Sequence, residues 1–137
     1  MYSTKYAVSI HILSLIALKR EKSITSDYIA RSINTNSALV RRLMIELKKA
    51  GLIQTQTKIG VTKLLKNPKE ITLLEIFKAV ENKHDLFAIH SNTNEECPVG
   101  AKIVGVLENV NDKIQLDFEK MLESVHLSDI LYGLEDI

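Results

Sequence analysis

A chain of 137 residues and 15.5 kDa has room for one domain and its core without disulfides. Its 45% hydrophobic and 26% charged content exclude a mainly disordered or collagen-like chain. The net charge of +1 hides a division: residues 1–80 carry 14 Lys/Arg and 5 Asp/Glu, net +9, whereas residues 81–137 carry 4 and 12, net −8, so a polyanion-binding surface is expected in the first half.

Residues 5–19 read as a helix that is apolar nearly all round and therefore buried. Its run from Tyr6 to Leu18 is broken by Ser9, His11 and Ser14 and is shorter than the ~20 residues of a membrane span. Lys19-Arg20-Glu21-Lys22 follows where a signal-peptide cleavage site would need small residues, so a core helix is the better reading. A second short helix runs from Asp27 to Ile33, and Asn34-Thr35-Asn36 forms a turn. Asn36 can cap a third helix over Ser37 to Ala50, whose Val40, Leu43 and Leu47 share one face; Gly51 stops it. Two β-prone runs, 52–56 and 61–65, flank a turn with Gly60 and predict a hairpin. Thr72 and Glu75 have capping-box spacing before a helix over 73–81.

Residues 82–98 read as a polar loop. A long helix follows to about Val125, with Ile103, Leu107, Val110, Ile114, Phe118, Met121 and Val125 in a near-heptad stripe. At ~1.5 Å per residue it would be ~40 Å long, longer than so small a domain can cover. The stripe from Ile103 to Met121 is therefore expected to be a dimer seam, the plainer alternative being packing on its own domain. A last helix over Leu127 to Leu134 closes the chain. The expected class is mainly α with a small β-hairpin wing: a winged helix-turn-helix domain over 1–81, a sensory loop over 82–98, and a dimerisation helix with a C-terminal helix over 99–137.

In this element order the third helix is the one that enters a major groove. With its apolar face inward, it turns Ser37, Ala38, Arg41, Arg42, Ile45, Lys48 and Lys49 outward. Arginine pairs bidentately with guanine O6/N7, and a small apolar side chain touches a thymine methyl. The expected DNA-contacting set is Asn36, Ser37, Ala38, Arg41, Arg42 and Lys48, with Lys58 and Lys63 from the hairpin. Lys66 and Lys69 lie just beyond. Residues 37–69 hold eight basic side chains and one acid, Glu46, so the basic residues coincide with the groove-reading elements instead of forming an indifferent solvated face.

The chain resembles the Rrf2 family of bacterial winged-helix regulators. The segment YIARSINTNSALVRRLMIELKKAGLIQT (28–55) is similar to the family's helix-turn-helix, and KEITLLEIFKAVE (69–81) to its post-wing helix. NEECPVGAKI (94–103) stands where the family's sensory loop enters the long helix. The resemblance implies a homodimeric, sequence-specific DNA-binding regulator, usually a repressor, on an inverted-repeat operator in double-stranded DNA. Two departures stand out. The wing has one Gly where the family has more. The sensory loop has Cys97 alone where iron–sulfur members cluster three cysteines, so no metal and no cofactor is expected.

One Cys cannot build a disulfide framework, and a reducing cytoplasm suits it. Cys97 precedes Pro98, which favours a first helical turn, where the dipole stabilises a thiolate. Glu95 and Glu96 oppose this. Cys97 is thus either a redox-sensing thiol, answering an oxidant or a small-molecule effector, or a small structural hydrophobe. Two other functions compete with DNA-binding regulation. A winged-helix protein-interaction module is disfavoured by Arg41-Arg42 and the basic wing. A Cys-dependent enzyme using His84, His90 or His126 lacks any phosphate-loop, zinc-protease or nucleophile-elbow motif.

Overall fold

A computed structural model describes residues 3–18, 24–56 and 61–135. Its elements run α1 (Lys5–Leu18), α2 (Ser26–Ile33), α3 (Ser37–Lys49), β1 (Ile53–Gln56), β2 (Val61–Leu64), a 3-10 turn (Pro68–Glu70), α4 (Leu73–Val80), α5 (Pro98–Ser124) and α6 (Leu127–Leu134). The order and kind of element match the sequence expectation, apart from the 3-10 turn, which lies between the expected hairpin and the expected helix over 73–81.

Local chemistry sets the ends. Thr25 caps α2, its hydroxyl accepting from the Tyr28 N–H at 3.1 Å. Asn34 then turns the chain in the left-handed region at φ 63°, and the Thr35 N–H donates to the Ala30 carbonyl at 2.9 Å. Asparagine tolerates this conformation better than most residues. Gly51, at φ 77°, ends α3 in the same way: its N–H donates to Lys48 and the Leu52 N–H to Leu47, each at 3.0 Å. These two stops bring α2 and α3 into the helix-turn-helix and aim the chain into β1. The hairpin is antiparallel, pairing Ile53 with Leu64, Gln54 with Lys63, and Thr55 with Thr62.

The core lies between α1, α2, α3, α4 and the base of the hairpin. Ile12 and Leu13 of α1 meet Ile29, Val40, Leu47, Ile53 and Ile76, all fully buried. Burying an Ile or Leu side chain stabilises by roughly 1.5–3 kcal/mol, so this aliphatic cluster serves without tryptophan. Glu81, just past α4, reaches back to the start of α1. Its carboxylate accepts from Ser3 Oγ at 2.8 and 2.9 Å and from the Tyr6 N–H at 3.3 Å, meeting the positive end of that helix.

The capping box at Thr72 and Glu75 forms as expected, with the Glu75 N–H donating to Thr72 Oγ1 at 3.1 Å and the Thr72 N–H to Glu75 Oε1 at 3.3 Å. Thr72 also bridges to His126: the Leu73 N–H donates to the Val125 carbonyl at 2.9 Å and the Leu127 N–H to Ile71 at 2.8 Å. This bridge, between segments far apart in sequence, sets fully buried Leu127 into the same core as α1 to α4. Residues on both sides of the expected division at 81/82 therefore share one core.

Candidate nucleic-acid interface

The element expected to read the groove is α3, and its orientation follows from its buried face. Val40, Leu43, Met44 and Leu47 point into the core. Residues half a turn away must face solvent, and Ala38, Arg41, Arg42, Ile45, Lys48 and Lys49 are all exposed; Ser37 is half-buried. The N-terminus of α3 is held by Asn36, whose Oδ1 accepts from the Leu39 N–H at 2.8 Å. That bond makes Asn36 first a positioning residue, one that fixes where Ser37 and Ala38 stand.

Lys63 sits exposed on β2 opposite Gln54, on the strand that leads from the hairpin tip. Lys58, expected at that tip, lies outside the described residues. Lys66 is drawn away from the basic face, its Nζ bonded to Glu75 Oε2 at 2.8 Å. Lys49 lies 3.8 Å from Glu46, a loose exposed pair of little strength. Sequence reasoning did not anticipate Lys5, at the start of α1. A cleft of about 270 Å³ beside α3 is lined by Lys5, Arg42, Glu46 and Asn82 among others. Only the tertiary fold brings α1 to that flank, so no local pattern could have revealed it.

The acidic half is built on α5, 27 residues long. One face packs on the winged domain: Phe118 meets Phe77 edge-on at 5.6 Å between ring centroids, and Lys78 pairs with Glu119 at 3.1 Å. Hydrogen bonds from Gln115 and Lys78 hold the Glu119 carboxyl below its ordinary value. The adjoining face carries Leu107, Val110, Ile114 and Met121 exposed, with Ile103 half-buried. Of the six residues expected in a dimer seam, Phe118 is thus already engaged within its own chain.

The loop before α5 is tied along it. Gln115 accepts from the Leu86 N–H at 2.8 Å and donates to the His84 carbonyl at 2.6 Å. At its far end the Cys97 N–H donates to the Asn94 carbonyl at 3.2 Å, and Thr93 Oγ1 donates to the Gly100 carbonyl at 2.6 Å. A side chain at Gly100 would overlap the Asn94 carbonyl, so only glycine lets the loop press on this turn. Cys97 is the exposed N-cap of α5. The Gly100 and Val99 backbone N–H groups at the start of the helix lower the thiol pKa, although neither closes a full capping bond to the sulfur. The sign left open between helix end and neighbouring acids goes to the helix end.

A family model described as Rrf2, an iron-dependent transcriptional regulator, matches residues 2–133. The chain belongs to the Rrf2 family. This Rrf2 protein is 40% identical over 134 residues to YwnA of Bacillus subtilis (strain 168), classed among HTH-type transcriptional regulators, covering 98% of this chain and 99% of that one. A crystal structure described as a DNA-binding protein shares 35% identity, with a TM-score of 0.74 over 93% of this chain and 98% of its own. The fold is also that of CymR (YrzC), the global cysteine regulator of B. subtilis, at a TM-score of 0.69 and 20% identity, over 96% of each chain. The protein is therefore a winged-helix, DNA-binding transcriptional regulator and not an enzyme.

Iron dependence in the family's description does not fit the donors of this Rrf2 chain. An iron–sulfur cluster is held by several thiolates, and the chain has one cysteine. Among the described residues no three His, Cys, Asp or Glu side chains gather as metal ligands. Nor is any described helix long and apolar enough to cross a membrane.

Proposed function

We propose that this Rrf2 regulator acts as a homodimer on an inverted-repeat operator, represses transcription by occupying it, and answers thiol chemistry at Cys97. The reading rests on the outer face of α3, where Ala38, Arg41, Arg42 and Lys48 stand exposed behind a capped N-terminus. Arg41 and Arg42 lie in the first turns, the part of a recognition helix that meets base edges. Lys48 and Lys63 are placed to meet phosphates, with Asn36 and Ser37 fixing the approach.

The exposed face of α5 supports the dimer. Two winged domains would then read half-sites about 34 Å apart, one helical turn along the duplex. The acidic α5 stands away from DNA, since it would repel phosphate. A cytoplasmic location belongs to the same reading.

Cys97 supports the switch through its exposure and its stabilised thiolate. The thiolate attacks a low-molecular-weight disulfide, forming a mixed disulfide and releasing one thiolate. The added group at the start of α5 disturbs the Asn94–Gly100 packing and with it the dimer's half-site spacing.

The test is a titration of the protein against a duplex selected from random DNA, across a salt series. Affinity should fall steeply, with a log–log slope near −0.9 per phosphate contact, and Arg41→Ala should weaken binding or relax base preference at one position. A flat slope, or no enriched sequence, removes the reading. Treatment with a low-molecular-weight disulfide should lower wild-type affinity and spare Cys97→Ser; equal loss in both proteins removes the switch alone.

A further inference from the structure

Ile45 stands outside the core, on the rim of the cleft beside α3 that Lys5, Arg42 and Glu46 also line. It lies on α3 half a turn away from Val40, Leu43, Met44 and Leu47, is 52% exposed, and packs outside the core cluster. Isoleucine is β-branched and is not favoured on a helix surface for its own sake. Its surroundings are mostly cationic: Arg41 and Arg42 lie one turn before it and Lys48 and Lys49 one turn after, all exposed, against one acid, Glu46, which is half-buried and faces Lys49. Such a ring repels a second copy of the same face and attracts a polyanion. On a duplex, the apolar feature exposed at base edges in the major groove is the thymine C5 methyl.

We propose that Ile45 is a specificity-determining residue that reads thymine methyl groups in the major groove. The inference rests on the DNA-binding reading of α3 and adds a base to it. Four residues of helix separate Ile45 from Arg41, about 6 Å of rise. That is close to two base-pair steps of about 3.4 Å. The thymine therefore lies within about two base pairs of the base read by Arg41. Ile45 covers it with its branched side chain, and the flanking lysines and arginines hold the backbone in register.

The experiment uses the full chain and the duplex it selects from random DNA. Each thymidine of one half-site is replaced in turn by deoxyuridine, which removes only the methyl group. Wild type should lose about three- to fivefold in affinity at one or two positions, the effect of one desolvated methyl. Ile45→Ala should lose at least as much on the thymidine duplex and become indifferent to deoxyuridine at those positions. Ile45→Val should fall between them. Since Ile45 lies outside the core, all three proteins should share one thermal unfolding midpoint.

Independent, multiplying losses from the substitution and from deoxyuridine would overturn the proposal, as would wild-type indifference to every methyl in the half-site or a half-site without thymine. Failure to select any duplex would instead overturn the DNA-binding reading beneath it.

Discussion

Asn36 caps α3 through one hydrogen bond from the Leu39 N–H. Removing such a cap costs about 1 kcal/mol. Asn36→Ala should therefore lower the unfolding free energy by about that amount in urea denaturation, and weaken DNA binding by fraying the turn that carries Ser37 and Ala38. Both Asn36 and Gly51 were legible in the sequence, because few residue types can do their work at a helix end. Cys97 was legible only as a position. In sequence, Glu95 and Glu96 argue for a raised pKa and the start of α5 for a lowered one, and the placement of the Gly100 and Val99 N–H groups, which lower it, comes only with the fold. With the folded pKa lowered, the reactive thiolate persists to lower pH than in a free cysteine, whose pKa is about 8.5. Alkylation rates measured against pH should show a lower midpoint in wild type than for a free cysteine measured alongside. In Gly100→Ala the displaced Asn94–Gly100 turn should move the midpoint back up, whereas an unchanged profile would mean that the loop tolerates a side chain there.

At the scale of elements, α5 serves two neighbours with adjoining faces. Phe118, Gln115 and Glu119 attach it to α4 and to the preceding loop, while Leu107, Val110 and Ile114 stay exposed. The 4–3–4 spacing made the apolar stripe readable. It could not separate the residue turned inward, because Phe118 lies at one edge of that stripe and Phe77 comes from another helix. Nor could it show the loop tied by Gln115, since amide hydrogen bonds to backbone leave no periodic trace. In a two-fold interface every substitution is counted twice. Ile114→Asp should weaken dimerisation by at least about a hundredfold, given roughly 1.5–3 kcal/mol for each buried isoleucine. Sedimentation at micromolar concentration should then find a folded monomer with reduced operator affinity. A variant that sediments as wild type would exclude Ile114 from the seam.

For the molecule as a whole, the segregation of charge into a +9 half and a −8 half was visible by counting, and the winged-helix order followed from periodicity and turn chemistry. The partners each cation finds were not visible. Lys66 is held by Glu75, and Lys5 joins Arg42 and Glu46 at a cleft, through contacts that only the fold creates. The sequence also suggested that the chain divides after residue 81, yet Leu127 is fully buried in the core of α1 to α4. That placement bears on how the protein is made. A chain leaving the ribosome tends to fold from its N-terminal end, and here α3 emerges well before Leu127, the plug of its core. A nascent chain still lacking α6 leaves the place of Leu127 empty, by itself a defect of about 2–5 kcal/mol, and also lacks the packing of Ile130 and Leu131. Full rigidity of the α1 to α4 unit thus waits for a helix made more than seventy residues after α3, so that a fragment holding the helix-turn-helix alone is handicapped by construction.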